Sequence, residues 1–317
     1  MTTAQSVSAA LADATRTVLA TAGPSVVRVG RHGGRGCGVV VADGFVLTNS
    51  HNLRDRTTEI TFADGRTEQG SVVAVDVDGD LVAVAVPTGG APVLVWAEST
   101  PEAGNLAFAI VRTPGSGTRV TVGMLSSVDG AFRGPRGRPV TGTLEHTAPL
   151  ARGSSGSPIV DEDGRLLGLN TARLGGAFYA AVPADADLRG RVDALVRGES
   201  PQRRTLGIGL APAEVAAKLR AAVGLEERAG LLVRSVDPDG AAARAGVQVG
   251  DLVSGAAGSP VTSTDDLHRA LDDPASADGL ELLLVRGADE LTVTVTFDPA
   301  PAEPADQAEP AEPADQA

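Results

Sequence analysis

Cysteine is almost absent from the sequence: Cys37 is the only one in 317 residues. One thiol can form neither an intramolecular disulfide nor a thiolate metal cluster, and the four histidines are scattered without ligand spacing. We therefore expect neither a metal nor another cofactor. Aromatic residues are also scarce, at 3% of the chain, so the cores must rest on Val, Leu, Ala and Ile, which favour sheets when they form short blocks.

Long apolar runs and an excess of positive charge are missing as well. No uncharged apolar stretch reaches the roughly 18 residues of a membrane span, and residues 1–24 lack the basic start and apolar block of an export signal. We expect no membrane span and a cytoplasmic location, with an exported location open if a leader is missing. The formal net charge of −13 argues against nucleic acid as a partner.

What the sequence does contain is a change of pattern along the chain. Residues 4–20 have the apolar spacing of an amphipathic helix, which Gly23-Pro24 ends. From about 25 to 185, short apolar runs alternate with turn sequences, which predicts a barrel or sandwich of many short strands. Residues 205–298 mix helical and strand patterns, and the Pro/Ala/Glu repeats at 299–317 are typical of disorder.

Three residues together suggest nucleophilic catalysis, although each alone is ordinary. Ser155 lies in the run Gly153–Pro158, where small residues allow a tight turn with an exposed hydroxyl and convergent backbone N–H groups. A serine nucleophile needs a general base, and the base needs an acid that orients it. His51 follows an apolar strand, and Asp80 begins the apolar run Leu81–Val86, where an unpartnered carboxylate would be costly.

These residues stand in four motifs that resemble those of HtrA (Deg) trypsin-like serine proteases. The motifs are Thr48–His51 (TNSH), Asp80–Val84 (DLVAV), Gly153–Pro158 (GSSGSP) and Gly168–Ala172 (GLNTA). The resemblance implies a mostly β fold, in which a chymotrypsin-like double β-barrel protease domain is followed by an α+β PDZ domain. The chain then divides into an N-terminal helical segment (1–23), the protease domain (24–186), a linker (187–204), the PDZ domain (205–298) and a disordered acidic tail (299–317).

The resemblance assigns roles to individual positions. Ser155 would be the nucleophile and His51 the general base and then acid, while Asp80 would orient the imidazole. The backbone N–H groups of Gly153 and Ser155 would form the oxyanion hole. Asn52 departs from the pattern, because the family has valine after the histidine.

A substrate pocket is also implied by the resemblance. Its residues would be Pro149, Leu169, Asn170, Thr171 and Tyr179. Pro149 stands where trypsin-type enzymes with basic specificity carry an aspartate, so a preference for Lys or Arg is not expected. We expect small or medium aliphatic side chains before the cleaved bond.

The second unit resembles a peptide-binding module. Thr205–Gly209 is similar to the carboxylate-binding loop of HtrA-type PDZ domains. The backbone N–H groups implied to bind a peptide's terminal carboxylate are those of Leu206, Gly207 and Ile208. Leu267 and Leu271, four residues apart on a helix, would form the other wall of the groove, and the alternative is that both are only core residues.

Two further motifs do not indicate ligand binding. Asp76–Asp80 (DVDGD) imitates the start of a calcium loop, but Leu81 stands where that loop requires glycine. Gly33–Gly38 imitates a nucleotide loop, but it precedes a strand rather than a helix. Cys37 at its end is expected to be a small buried residue rather than a nucleophile.

Two functions remain open at this point. The first is a serine endopeptidase of protein quality control that cleaves unfolded or PDZ-recruited proteins through a Ser-His-Asp acyl-enzyme mechanism. The second is a non-proteolytic chaperone or scaffold that keeps the protease fold, and the complete triad favours the enzyme. Many relatives form trimers through aromatic residues near the N-terminus, whereas the first aromatic here is Phe45, so a homo-oligomer is left as an open expectation.

Overall fold

The computed structural model of the protein describes residues 6–30, 36–77, 79–113, 117–133, 139–200, 204–276 and 278–297. The chain forms two compact units, Met1–Pro201 and Gln202–Ala317. The tail predicted to be disordered, 299–317, lies outside the described residues.

The first unit contains two closed antiparallel β-barrels. The first barrel comprises β1 (Val26–Val29), β2 (Gly36–Ala42), β3 (Phe45–Thr48), β4 (Thr57–Thr61), β5 (Thr67–Asp76) and β6 (Leu81–Ala85), in the spatial order β1-β2-β3-β6-β5-β4. The second comprises β7 (Leu106–Thr113), β8 (Gly117–Arg133), β9 (Pro139–His146), β10 (Pro158–Val160), β11 (Leu166–Gly175) and β12 (Phe178–Pro183), in the order β10-β11-β12-β9-β8-β7. The predicted double β-barrel is confirmed.

The strand β9 is absent from the apolar runs that the sequence shows. It pairs with β8 on one side and β12 on the other, so the second barrel cannot close without it. Leu144 is its only buried apolar side chain in the described burial pattern, since the other buried residues are Thr143 and His146, and Thr141 is exposed. A strand with one solvent-exposed face contains too few apolar residues to be recognised as a continuous apolar run in the sequence.

Two helices complete the first unit. The helix α1 (Val7–Thr21) buries Val18, and α2 (Ala186–Val196) buries Leu188, Val192 and Leu195. All four side chains lie in one apolar cluster with strands of both barrels. The sequence of residues 186–204 predicts a short helix and a polar linker, and α2 is that helix, packed on the first unit by an apolar face that recurs at three- and four-residue spacing.

The second unit is an α+β domain. Its elements are β13 (Ile208–Ala211), α3 (Ala213–Ala222), β14 (Leu231–Val236), α4 (Ala241–Arg244), β15 (Leu252–Ala256), β16 (Ser259–Pro260), α5 (Thr264–Asp272), β17 (Leu280–Arg286) and β18 (Asp289–Val295). The sheet order is β13-β14-β15-β17-β18, with β16 beside β15, so β13 is an edge strand. None of the helices in the described ranges is both long and apolar enough to cross a membrane.

A buried ion pair fastens α2 to the first barrel. Arg191 donates to Asp76 Oδ2 through Nη2 at 2.6 Å and Nε at 2.9 Å, and only 3% of the Asp76 side chain is exposed. The other oxygen of Asp76 accepts a hydrogen bond from the amide of Gly79 at 2.8 Å. The carboxylate that imitated a calcium ligand thus binds a guanidinium, and both contacts stabilise the turn that leads to Asp80.

We predict that Arg191→Ala destabilises the first unit by about 3 kcal/mol, because it leaves the buried Asp76 carboxylate without a counter-charge. Trp96 is the only tryptophan in the chain and belongs to the first unit, so its fluorescence during urea unfolding reports on that unit alone.

Arg197→Ala is the matched control, because Arg197 follows the same helix and pairs with the exposed Glu199. Its unfolding midpoint should stay close to that of the wild type. Equal midpoints for both variants would show that the Asp76–Arg191 pair does not stabilise the barrel.

Candidate active site

Asp80 occupies a strained backbone position between β5 and β6. Its φ is +54°, in the left-handed region that non-glycine residues rarely adopt. The Asp80 carbonyl accepts hydrogen bonds from the amide of Ser50 at 3.1 Å and from Asn49 Nδ2 at 2.9 Å. These two bonds from the turn after β3 hold the strained residue in place, and such strain is typical of functional sites.

The buried carboxylate of Asp80 is surrounded by donors. Oδ2 lies 2.7 Å from His51 Nδ1 and accepts a hydrogen bond from Thr171 Oγ1 at 2.9 Å. Oδ1 accepts hydrogen bonds from Ser50 Oγ at 2.9 Å and from the His51 amide at 3.1 Å. Thr171 was expected only in the pocket, and Ser50 had no predicted role, because the sequence does not show which hydroxyls face a carboxylate across the barrels.

These contacts determine the charge of Asp80 and the tautomer of His51. Burial acts to raise the pKa of Asp80, but hydrogen bonds from His51 and Ser50 outweigh it and hold that pKa below its ordinary value. An ionised carboxylate can only accept a hydrogen bond, so Nδ1 of a neutral His51 carries the hydrogen and donates it to Asp80. Nε2 then keeps a free lone pair, which is what a general base needs.

Ser155 lies in a tight turn at the start of the second barrel's strand β10. The Ser157 amide donates to the Ser154 carbonyl at 2.9 Å, and Gly156 between them has a φ of +81°. A side chain at Gly156 would also collide with the Cys37 carbonyl, so only glycine fits. The small residues of the Gly153–Pro158 run therefore serve the turn that the sequence predicted.

Asn52 joins the histidine turn to the serine turn. It is 2% exposed, and its Nδ2 donates to the Ser155 carbonyl and to Thr48 Oγ1, each at 2.9 Å. Asn52, which departs from the family pattern, directly follows His51. Its hydrogen bond therefore holds the Ser155 backbone close to the histidine turn. In the described part of the chain, the Ser155 hydroxyl forms no hydrogen bond, to His51 Nε2 or to any other atom.

The two amides expected to form an oxyanion hole are unpaired. No oxygen of the described residues accepts a hydrogen bond from the amide of Gly153 or of Ser155. Gly153 has a φ of +80°, a backbone conformation that residues with a side chain rarely adopt. Both N–H groups are therefore available to an incoming oxygen.

A cavity opens beside Ser155. Among its lining residues are three of the five predicted pocket residues, namely Asn170, Thr171 and Tyr179. Pro149 and Leu169 do not line it: Leu169 is fully buried in the core, and the Pro149 carbonyl accepts a hydrogen bond from Thr121. Arg152 and Arg173 line the cavity instead, and neither is among the predicted pocket residues.

A buried histidine lies behind this cavity. His146 Nε2 is 2.6 Å from Asn170 Oδ1, and its ring stacks on Tyr179 with the centroids 5.5 Å apart. Burial lowers the pKa of His146, although the hydrogen bond to Asn170 acts in the opposite direction. The wall of the cavity is therefore backed by a neutral imidazole.

Cys37 lies on β2 of the first barrel, and its side chain is buried against the carbonyls of Arg112 and Gly153. Burial raises the pKa of the Cys37 thiol to about 11, so the thiol is protonated at neutral pH. Its Sγ lies 3.8 Å from the Gly153 carbonyl. The expected role as a small buried residue fits this position.

The predicted carboxylate loop of the second unit precedes the edge strand β13. No described residue accepts a hydrogen bond from the amides of Leu206 or Gly207, and Gly207 has a φ of +71°. Ile208 begins β13 and is half-buried. Leu267 and Leu271 are 4% and 5% exposed and belong to the same buried cluster as Leu206, which fits the core alternative.

This fold and site define a class: a trypsin-like peptidase domain joined to a PDZ domain. Residues 36–169 match the family model described as a trypsin-like peptidase domain, and residues 232–286 match a PDZ domain model. The chain is 29% identical over 281 residues to the chloroplastic Protease Do-like 1 of Arabidopsis thaliana, covering 82% of this chain and 62% of that protein. It is 28% identical over 278 residues to the serine endoprotease DegS of Escherichia coli K12, covering 84% and 77%.

Solved structures agree with these relatives. The serine endoprotease from Yersinia pestis superposes with a TM-score of 0.65 at 25% identity, covering 89% of this chain and 96% of that one. The HtrA-type protease AlgW with decapeptide shares the fold, with a TM-score of 0.68 at 21% identity over 90% and 99% of the two chains. The predicted resemblance to HtrA (Deg) serine endoproteases is confirmed. The chain spans 62% of the Arabidopsis relative and 56% of a DegP-like endoprotease of Halomonas elongata.

We predict that Asn52→Asp slows the reaction of Ser155 with a fluorophosphonate probe by about tenfold, because an oxygen replaces the N–H donor that holds the Ser155 carbonyl. The substitution preserves the shape of the side chain. The labelling rate is measured on the purified full chain.

Asn105→Asp makes the same chemical change at an exposed site, where Oδ1 still accepts the hydrogen bond from the Glu102 amide. Its labelling rate should equal that of the wild type. Equal rates for both variants would mean that Asn52 does not position Ser155.

Proposed function

We propose that the chain is a serine endopeptidase that cleaves unfolded or PDZ-recruited proteins in protein quality control. The single observation that carries the proposal is the Asp80–His51 pair, in which an ionised, fully hydrogen-bonded carboxylate presents a histidine with a free Nε2. The peptidase and PDZ domains, and the names of the relatives, support the same activity.

The proposed mechanism follows the positions of these groups. His51 Nε2 takes the proton of Ser155 Oγ as that oxygen attacks the peptide carbonyl, and the amides of Gly153 and Ser155 bind the oxyanion. Asp80 stabilises the imidazolium, which then protonates the leaving amine. Water hydrolyses the acyl-enzyme by the same steps.

Substrate binding has to bring the nucleophile and base together. None of the described residues forms a hydrogen bond with the Ser155 hydroxyl, and we propose that its bond to His51 forms when a peptide fills the cavity beside Ser155. Hydrogen bonds between catalytic groups often tighten only in the complex with substrate. The triad residues are thus held on three turns, and Asn52 links the turn of His51 to the turn of Ser155.

Ser155→Ala should lower the hydrolysis of casein by about 10⁶-fold, to background, because no other residue replaces the nucleophile. A fluorophosphonate probe should label the wild type and not the variant. Circular dichroism checks that the variant keeps the fold.

Ser126→Ala is the control, since Ser126 Oγ is exposed and bonds to Glu145 on the barrel surface. It should be labelled and should cleave casein like the wild type. Absence of labelling in the wild type, even with a PDZ-binding peptide present, would refute the protease and favour the peptide-binding scaffold.

We propose that the second unit recruits substrates by their C-termini. The carboxylate would bind to the amides of Leu206 and Gly207, and the peptide would pair with the outer edge of β13 as an added strand. Among the described strands, β13 pairs only with β14, so that edge is unoccupied. Leu267 and Leu271 then support the groove from the core.

Gly207→Ala should weaken the binding of a C-terminal peptide by at least about tenfold, since a Cβ at this φ would lie 3.0 Å from the Gly240 Cα and displace the loop. Gly258→Ala is a matched control, because Gly258 has the same φ of +71° with open space around it. Fluorescence anisotropy of a labelled peptide measures both. Equal affinities would exclude this loop as the carboxylate site.

A further inference from the structure

Two arginines line the cavity beside Ser155, and none of the described lining residues is acidic. Arg152 lies in the loop before Gly153, and Arg173 lies near the end of β11. Neither arginine forms an ion pair with any residue that the structure describes. The chain has 40 acidic and 27 basic residues. Two arginines at one cavity, without an acidic partner among the described residues, therefore make this cavity positive on an otherwise acidic protein.

Arg173 is fixed on the cavity wall. Its Nη2 donates to the Leu150 carbonyl at 2.6 Å, and its guanidinium carbon lies 4.9 Å from the centroid of the Tyr179 ring. Tyr179 is paired directly across from Arg173 on β12 and is held by its stack on His146. A guanidinium has five N–H donors, so one hydrogen bond leaves the others free.

The remaining walls do not offset this positive charge. Asn170 donates its amide hydrogens to Ser157, and Thr171 donates its hydroxyl to Asp80. The Asp80 carboxylate is buried, and His51, Ser50 and Thr171 satisfy its oxygens. The charged side chains among the described residues that line this cavity are therefore the two arginines, beside the amides of Gly153 and Ser155 that are assigned to the oxyanion.

We propose that this cavity selects an acidic side chain, Glu or Asp, immediately before the cleaved bond, with Arg173 as the residue that determines the preference and Arg152 as a second cation. The proposal rests on the proposed function and defines its substrate class. A planar guanidinium held at two points matches a carboxylate through paired hydrogen bonds. The preference differs from the aliphatic one expected from the sequence, which took no account of the two arginines.

Four quenched fluorescent peptides that differ only in the residue before the cleaved bond test the proposal: Glu, Gln, Leu and Lys. The full chain should cleave the Glu peptide with a kcat/KM about tenfold above that for the isosteric Gln peptide. Leu and Lys should be poorer than Glu. Because both arginines are exposed, the Glu-to-Gln ratio should fall as salt is added.

The variants separate Arg173 from general charge effects. Arg173→Gln should bring the Glu-to-Gln ratio close to one, and Arg173→Lys should retain part of it. Arg165→Gln, which removes an arginine paired with Asp163 and outside the cavity, should keep the wild-type ratio. An unchanged ratio in Arg173→Gln would overturn the assignment.

The outcomes for selectivity and for the protease itself are distinct. Ser155 labelled by a fluorophosphonate, together with no preference for the Glu peptide or no cleavage of it, overturns the acidic selectivity alone. No labelling and no cleavage of any peptide overturns the protease, and this inference with it. Cleavage that persists in Ser155→Ala assigns the activity to a contaminant. That result would count against both the proposed protease and its proposed acidic selectivity.

Discussion

The buried negative charge of Asp80 is the constraint on which the first unit depends. A carboxylate in this position must have donors on both oxygens, and they come from the turn after β3 and from β11 of the second barrel. The two barrels therefore share one polar centre. Thr171 meets Asp80 where the barrels meet, and strands of both barrels also contribute to one apolar cluster.

The backbone around this centre is held from several directions. The carbonyl of Asp80 binds Ser50 and Asn49, and the preceding turn is tied to α2 through Asp76 and Arg191. A strained residue persists only where its surroundings compensate for the strain. The strained backbone and buried charge of Asp80 are thus stabilised by contacts from elements that are distant in sequence.

Much of this arrangement was readable in the sequence. Short apolar blocks predicted most strands of both barrels, and the Ser155 turn follows from the need for small residues. The strand β9 was missed because it contains few apolar residues, and the short helix expected in 186–204 is α2, whose packing on the barrels the sequence alone does not show. The contacts of Thr171, Asn52 and Arg173 join residues far apart in the chain, and local pattern carries no information about them.

Arg191 also determines where the peptidase can be separated from its neighbours. The segment that matches the peptidase family model ends at residue 169, and a division at 186 would follow the last barrel strand. Either cut would remove α2, expose the apolar cluster that it covers, and leave Asp76 buried as a lone charge. A first unit that keeps the Asp76–Arg191 pair therefore includes all of α2, and the compact unit extends beyond that helix to Pro201, where Ser200 Oγ accepts a hydrogen bond from the Val75 amide of β5.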